Sequence, residues 1–75
     1  AMTDSPVRRS VTLRGHRTSV TLEPLFWQAL KDIARERGLA VNALAAEIDS
    51  QRDLETGLAT ALRVYILDWY RSRSR

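Results

Sequence analysis

The chain has 75 residues, 44% of them hydrophobic and 28% charged, with a formal net charge of +3, no cysteine and one histidine. That is one small domain, too short to enclose a large active site, and neither disulfides nor a histidine-rich metal site can staple it. Oligomerisation remains as the usual compensation for a small core.

The charge is unevenly placed. Arg8, Arg9, Arg14 and Arg17 lie in residues 7–22 without an acid, Arg71, Arg73 and Arg75 end the chain without one, and the stretch between is mildly acidic. Basic ends suit a polyanion, because arginines gain affinity by releasing counterions from phosphates. The plainer reading is that they keep a small protein in solution. No window of about 18 apolar residues offers a membrane span, and residues 1–20 lack the apolar core of a signal peptide. The absence of cysteine fits a reducing compartment. These features together predict a soluble, cytoplasmic protein. Ala1, ahead of Met2, reads as a remnant of tag removal.

Residues 1–7 mix small, polar and proline residues without periodicity and are expected to be disordered. From Arg8 to Leu22 polar and apolar residues alternate, and Ser-Val-Thr-Leu occurs twice, at 10–13 and 19–22. β-branched residues favour extended backbone, and Gly15 between the copies permits a turn. A two-residue turn at Arg14-Gly15 would set Ser10 opposite Ser19 and Val11 opposite Thr18, matching the faces of the two strands. On the second strand Arg17, Ser19 and Thr21 share a polar face, and Thr18, Val20 and Leu22 share the other.

Pro24 suits the first position of a helix, where its missing N–H costs nothing. Phe26, Ala29, Leu30, Ile33 and Ala34 then form a stripe at three- and four-residue spacing until Gly38 closes the helix. Trp27, at the stripe's edge, is expected to pack rather than to stack on a ligand. A second helix is predicted from Val41 to Asp49, carrying Leu44, Ala45 and Ile48, before the polar run 49–53. Asp53 suits the N-cap of a third helix, with Glu55 in its first turn. In that helix Leu58, Ala61, Leu62, Tyr65, Ile66 and Trp69 make one stripe, and Val64 and Leu67 occupy another side. A helix apolar nearly all round needs cover that a lone short chain cannot supply, and a second subunit can.

A short strand with alternating faces, an amphipathic helix ended by glycine, and further helix resemble the ribbon-helix-helix family of bacterial repressors. The string Gly15-His16-Arg17-Thr18-Ser19-Val20-Thr21-Leu22-Glu23 followed by Phe26-Trp27 looks like small bacterial proteins of that class. The resemblance spans residues 8–71 and implies a mainly α fold: a short β-ribbon, two or three helices and an intertwined homodimer. Residues 72–75 would then be a basic tail. In the family, antiparallel strands from two protomers enter the major groove. Carried over, Arg17, Ser19 and Thr21 would contact bases, and Val20, Leu22, Phe26, Leu30, Leu62 and Ile66 would form the dimer core. Backbone N–H groups near Ala40, Val41 and Asn42 would grip a phosphate at the second helix's start, although Ala40 stands where Ser or Thr is usual. An alternative alignment gives the third helix, starting near Thr56 and Gly57, the second helix's role, so which helix forms the dimer core stays open.

Arginine can donate two hydrogen bonds to guanine, and Ser and Thr hydroxyls serve several base edges; the plainer reading of the same residues is a solvated strand face. Arg8, Arg9 and Arg14, flanking the ribbon, are candidate phosphate contacts. His16 has no second His or Cys with which to hold a metal, so a turn role is preferred. The chain shows no nucleophile motif, no Gly-rich phosphate loop and no His-anchored dyad, so neither catalysis nor a cofactor is expected. The leading expectation is a sequence-preferring DNA-binding protein, a repressor-like transcription regulator acting as a homodimer. The alternative is a protein-interaction module of the same fold, in which the strand at 8–13 blocks the ribbon or pairs with another protein's edge. An antitoxin is disfavoured, because only Arg71 to Arg75 remain for a partner-binding tail.

Overall fold

The computed structural model describes residues 5–73. Residues 1–4, within the stretch expected to be disordered, lie outside the described residues, as do residues 74–75 of the expected basic tail. The alternation of residues 7–22 becomes two antiparallel strands, β1 (Val7–Leu13) and β2 (His16–Leu22), so regular structure begins one residue earlier than expected. Their register pairs Ser10 with Ser19 and Val11 with Thr18, the pairing that the two-residue turn predicts. The turn is made by Arg14 at φ 52° and Gly15 at φ 87°. Positive φ at both central residues matches the right-handed twist of the strands. Gly15 adopts that backbone freely, whereas Arg14 does so at a cost.

Three helices follow: α1 (Pro24–Arg37), α2 (Val41–Gln51) and α3 (Leu58–Arg73). Pro24 opens α1, and Gly38 closes it in the left-handed conformation at φ 72°, ψ 29°. The Leu39 N–H reaches back to the Ala34 carbonyl at 2.8 Å, which satisfies a carbonyl the helix end would leave unpaired.

α2 runs two residues past Asp49 into the polar run read as a break, and the third helix begins later than expected. The Arg52 guanidinium bonds the Asp49 carboxylate at 2.6 Å and the Thr56 carbonyl at 2.6 Å. That fork folds 53–56 into a turn, with the Thr56 N–H on the Asp53 carbonyl at 3.0 Å. A helix started at Asp53 would also carry Gly57 in its interior, at about 1 kcal/mol relative to alanine. Gly57 instead precedes α3 and its carbonyl accepts from Ala61 N–H at 3.0 Å.

β1 lies against α2 and β2 against α3. Between them Val11, Val20, Leu22, Leu30, Ile33, Leu44, Leu62 and Ile66 are buried with Ala34, Ala45 and Ile48 in one core. Trp27 packs half-buried against that core, as its place at the stripe's edge implied. Two polar ties join the layers. Arg63 on α3 holds both Glu23 carboxylate oxygens, at 3.0 and 3.3 Å, and donates to the Thr21 carbonyl at 3.4 Å. Arg37 at the end of α1 holds Glu47 on α2, at 2.7 and 3.1 Å, and reaches the Tyr65 hydroxyl on α3 at 3.0 Å.

By itself the chain supplies the antiparallel pair β1–β2, with β1 on one edge of β2. One expectation needs correction: Val20, Leu22, Leu30, Leu62 and Ile66, assigned to a dimer core, are enclosed by their own protomer, with Phe26 half-buried beside them. Their surface is already removed from water, so it cannot be what a second copy covers. The over-apolar character of α3 does persist: Val64 and Leu67 are 61% and 58% exposed.

Candidate nucleic-acid interface

In an antiparallel pair, directly opposed residues share a face. The observed register therefore gathers Arg8, Ser10 and Thr12 of β1 with Thr21, Ser19 and Arg17 of β2 on the side away from the core. All six are exposed. The Arg8 Nε–H donates to the Ser19 hydroxyl at 3.1 Å, which steers its side chain across the strand pair. The predicted base readers Arg17, Ser19 and Thr21 are thus together and accessible. Ser10 and Thr12 join them unassigned by the sequence reading, although the repeated Ser-Val-Thr-Leu was the signal that could have found them.

The predicted phosphate contacts divide. Arg8 lies on the outward face, and Arg14 sits at the hairpin tip beside a shallow depression lined by Thr12, Asn42, Ala43, Ala46 and Glu47. Arg9 departs from expectation. Strand alternation turns it to the opposite face, where its guanidinium covers the Trp27 ring at 4.9 Å and its Nε is buried without a hydrogen-bond partner among the described residues. An arginine spent on an indole face packs the hairpin onto α1 and does not project towards a backbone phosphate.

The start of α2 shares the depression beside Arg14. Ala40 is extended and provides no side-chain cap, and the first bond inside the helix runs from Leu44 N–H to Ala40 carbonyl at 3.1 Å. The amides of Val41, Asn42 and Ala43 consequently have no partner within the helix. The Asn42 side-chain oxygen is already used, accepting from the Thr12 N–H at 3.1 Å. That bond pins the start of α2 to the edge of β1, so Asn42 can offer an anion its backbone and not its carbonyl oxygen. Positive dipole and free amides there favour negative charge. Glu47, the acid in this depression, is held by Arg37, whose hydrogen bonds keep its carboxyl below the ordinary carboxylate range. The Arg37 guanidinium is in turn pushed up by Glu47 and Tyr65.

His16 is exposed at the start of β2 beside the turn. Among the described residues no cluster of three or more His, Cys, Asp or Glu could hold a metal ion, and no helix is long and apolar enough to cross a membrane.

A family model described as a ribbon-helix-helix domain matches residues 6–70. The solved structure of an uncharacterized protein from Bordetella pertussis Tohama I is 30% identical and superposes with a TM-score of 0.76, over 95% of this chain and 60% of that one. This chain therefore spans less than two thirds of that relative's length. No curated protein matches it.

Proposed function

Because the chain belongs to the ribbon-helix-helix domain family, we propose that it binds double-stranded DNA through the outward face of the β1–β2 hairpin, as a sequence-preferring, repressor-like transcription regulator of the cytoplasm. The observation that carries this reading is the six-residue face of two arginines and four hydroxyls, all exposed. The major groove admits a two-stranded ribbon, and β1 and β2 supply one. Arg17, Ser19 and Thr21 meet base edges, while Arg14 and the amides of Val41 and Asn42 hold the flanking backbone. The strain at Arg14 fits this assignment. Among the described residues it is the one non-glycine at positive φ, and such outliers gather at functional positions. The role is binding and not catalysis.

The working species is a homodimer. Leu25, 69% exposed, stands with Phe26, Ala29, Leu67 and Tyr70 along a groove between α1 and α3, and Val64 adds to the outward side of α3. Exposed leucines this close together on so small a protomer mark a surface for a second copy.

Fluorescence-anisotropy titration of mixed-sequence duplexes at two salt concentrations tests the reading. Wild type binds near physiological salt with a steep negative salt dependence. Arg17→Ala binds more weakly and discriminates less, by the roughly 1–3 kcal/mol of a bidentate contact. Equal affinity and equal salt slope for Arg17→Ala would refute a reading role for the face. Absence of any binding would favour the protein-interaction module, in which β1 blocks the ribbon or pairs with another protein's edge.

A further inference from the structure

The two strands carry one motif twice: Arg8-x-Ser10-Val11-Thr12-Leu13 and Arg17-x-Ser19-Val20-Thr21-Leu22. The register lays the copies antiparallel, with Arg8 opposite Thr21, Ser10 opposite Ser19 and Thr12 opposite Arg17. A half-turn about an axis through the Ser10–Ser19 pair, normal to the sheet, exchanges Arg8 with Arg17, Ser10 with Ser19 and Thr12 with Thr21. The hairpin's outward face is therefore two-fold symmetric in chemistry although it belongs to one chain.

We propose that each protomer carries a complete, pseudo-symmetric base reader in cis, in which Arg8, Ser10 and Thr12 of β1 contact bases equivalently to Arg17, Ser19 and Thr21 of β2. This deepens the DNA-binding reading and rests on it. Opposed residues on one face have Cβ atoms about 5 Å apart, so each rung presents two side chains side by side. Successive rungs lie about 7 Å apart along the strands, about two base-pair steps, so three rungs cover about four steps of a groove they run along. A symmetric reader meets its chemical match in a short inverted repeat within that span.

Width separates this arrangement from a ribbon shared between protomers. If β2 also paired with β2 of a second copy, the sheet would have four strands. Its outer strand axes would lie about 14 Å apart before side chains are counted, against a major groove about 12 Å wide. A hairpin from one chain enters where that sheet cannot. Arg8 is moreover equipped to read. Its bond to Ser19 uses only Nε, so the terminal amino groups of the guanidinium keep the fork geometry that pairs with guanine O6 and N7.

The test is selection from a pool of randomised duplexes by the full chain, followed by the same selection with Arg8→Ala, Arg17→Ala and Arg8→Lys. Wild type is expected to enrich a short inverted repeat. Arg8→Ala and Arg17→Ala should each relax preference at one of two symmetry-related positions, by roughly 5- to 150-fold in discrimination, the equivalent of one bidentate contact. Arg8→Lys, which keeps the charge and loses the planar fork, should lose the preference yet retain affinity for unselected duplex. Preference unchanged in both Arg8 variants, with Arg17→Ala relaxed, would overturn the proposal and leave DNA binding standing. Failure of wild type to enrich any sequence would overturn both.

Discussion

Arg14→Asn sets stability against binding. Arg14 sits at φ 52° in a two-residue turn whose other member, Gly15, is at φ 87°. An L-residue with a Cβ pays about 1–2 kcal/mol in the left-handed region. Asparagine enters it more easily, and Asn-Gly is the preferred pair for this turn. The replacement should therefore recover about 0.5–1 kcal/mol, and a domain of this size shifts its Tm by about 4–8 °C per kcal/mol. A rise of roughly 2–8 °C in a calorimetric or circular-dichroism melt is expected. DNA affinity should move the other way, since losing one phosphate contact reduces the salt slope by about 0.9. Arg14→Lys separates the two effects, because it keeps the charge and the strain; its melt and its salt slope should both stay near wild type. An Arg14→Asn protein no more stable than wild type would refute the strain argument. An unchanged salt slope would remove Arg14 from the interface.

Arg9→Ala should leave the salt slope untouched and lower stability by about 0.5–2 kcal/mol, because it uncovers Trp27 and loses a cation–π contact; a reduced slope would return Arg9 to the DNA. Glu47 and Glu23 are held below the ordinary carboxylate range by hydrogen bonds from Arg37 and Arg63 respectively. Their contribution to stability is complete above the unfolded value of about 4.3 and is lost as pH falls through the lower folded value. The Glu23→Gln, Glu47→Gln protein should accordingly show a flatter acid limb in urea midpoints followed from pH 7 to pH 2, and an unchanged limb would disprove the linkage. Leu62→Ala, at a fully enclosed position, should cost about 2–5 kcal/mol by urea titration. Leu67→Glu, at a site 58% exposed, should keep the helical circular-dichroism signal and shift sedimentation from dimer to monomer. A dimer that persists would rule out this face.

Local rules settled much of this protein before any tertiary contact entered. Alternation around Gly15 set the hairpin register. Pro24 and Gly38 bounded α1, and the stripes of three- and four-residue spacing selected Leu30, Ile33, Leu44, Leu62 and Ile66 as interior. Each of these depends on residues a few positions apart, whose spacing is itself the geometry of a strand or helix. The base-reading candidates Arg17, Ser19 and Thr21 were legible for the same reason, as one parity of one strand.

What lay outside that reach depends on groups distant in the chain. Strand parity alone turns Arg9 inward, but only the tertiary structure brings the Trp27 ring of α1 to the place where it rests. The late start of α3 is decided by Arg52, whose guanidinium takes the Thr56 carbonyl and the Asp49 carboxylate together. The start of α2 is pinned by a bond from Thr12 to Asn42 across 30 residues, and it is this bond that brings free amides beside Arg14. The sequence alone determined that there would be a polar strand face and a buried set of apolar side chains. The tertiary structure decided that one protomer encloses Val20, Leu22, Leu30, Leu62 and Ile66, which were first assigned to a dimer core. Burial is a property of surfaces meeting in space, and periodicity says which side of an element is apolar without saying what will cover it.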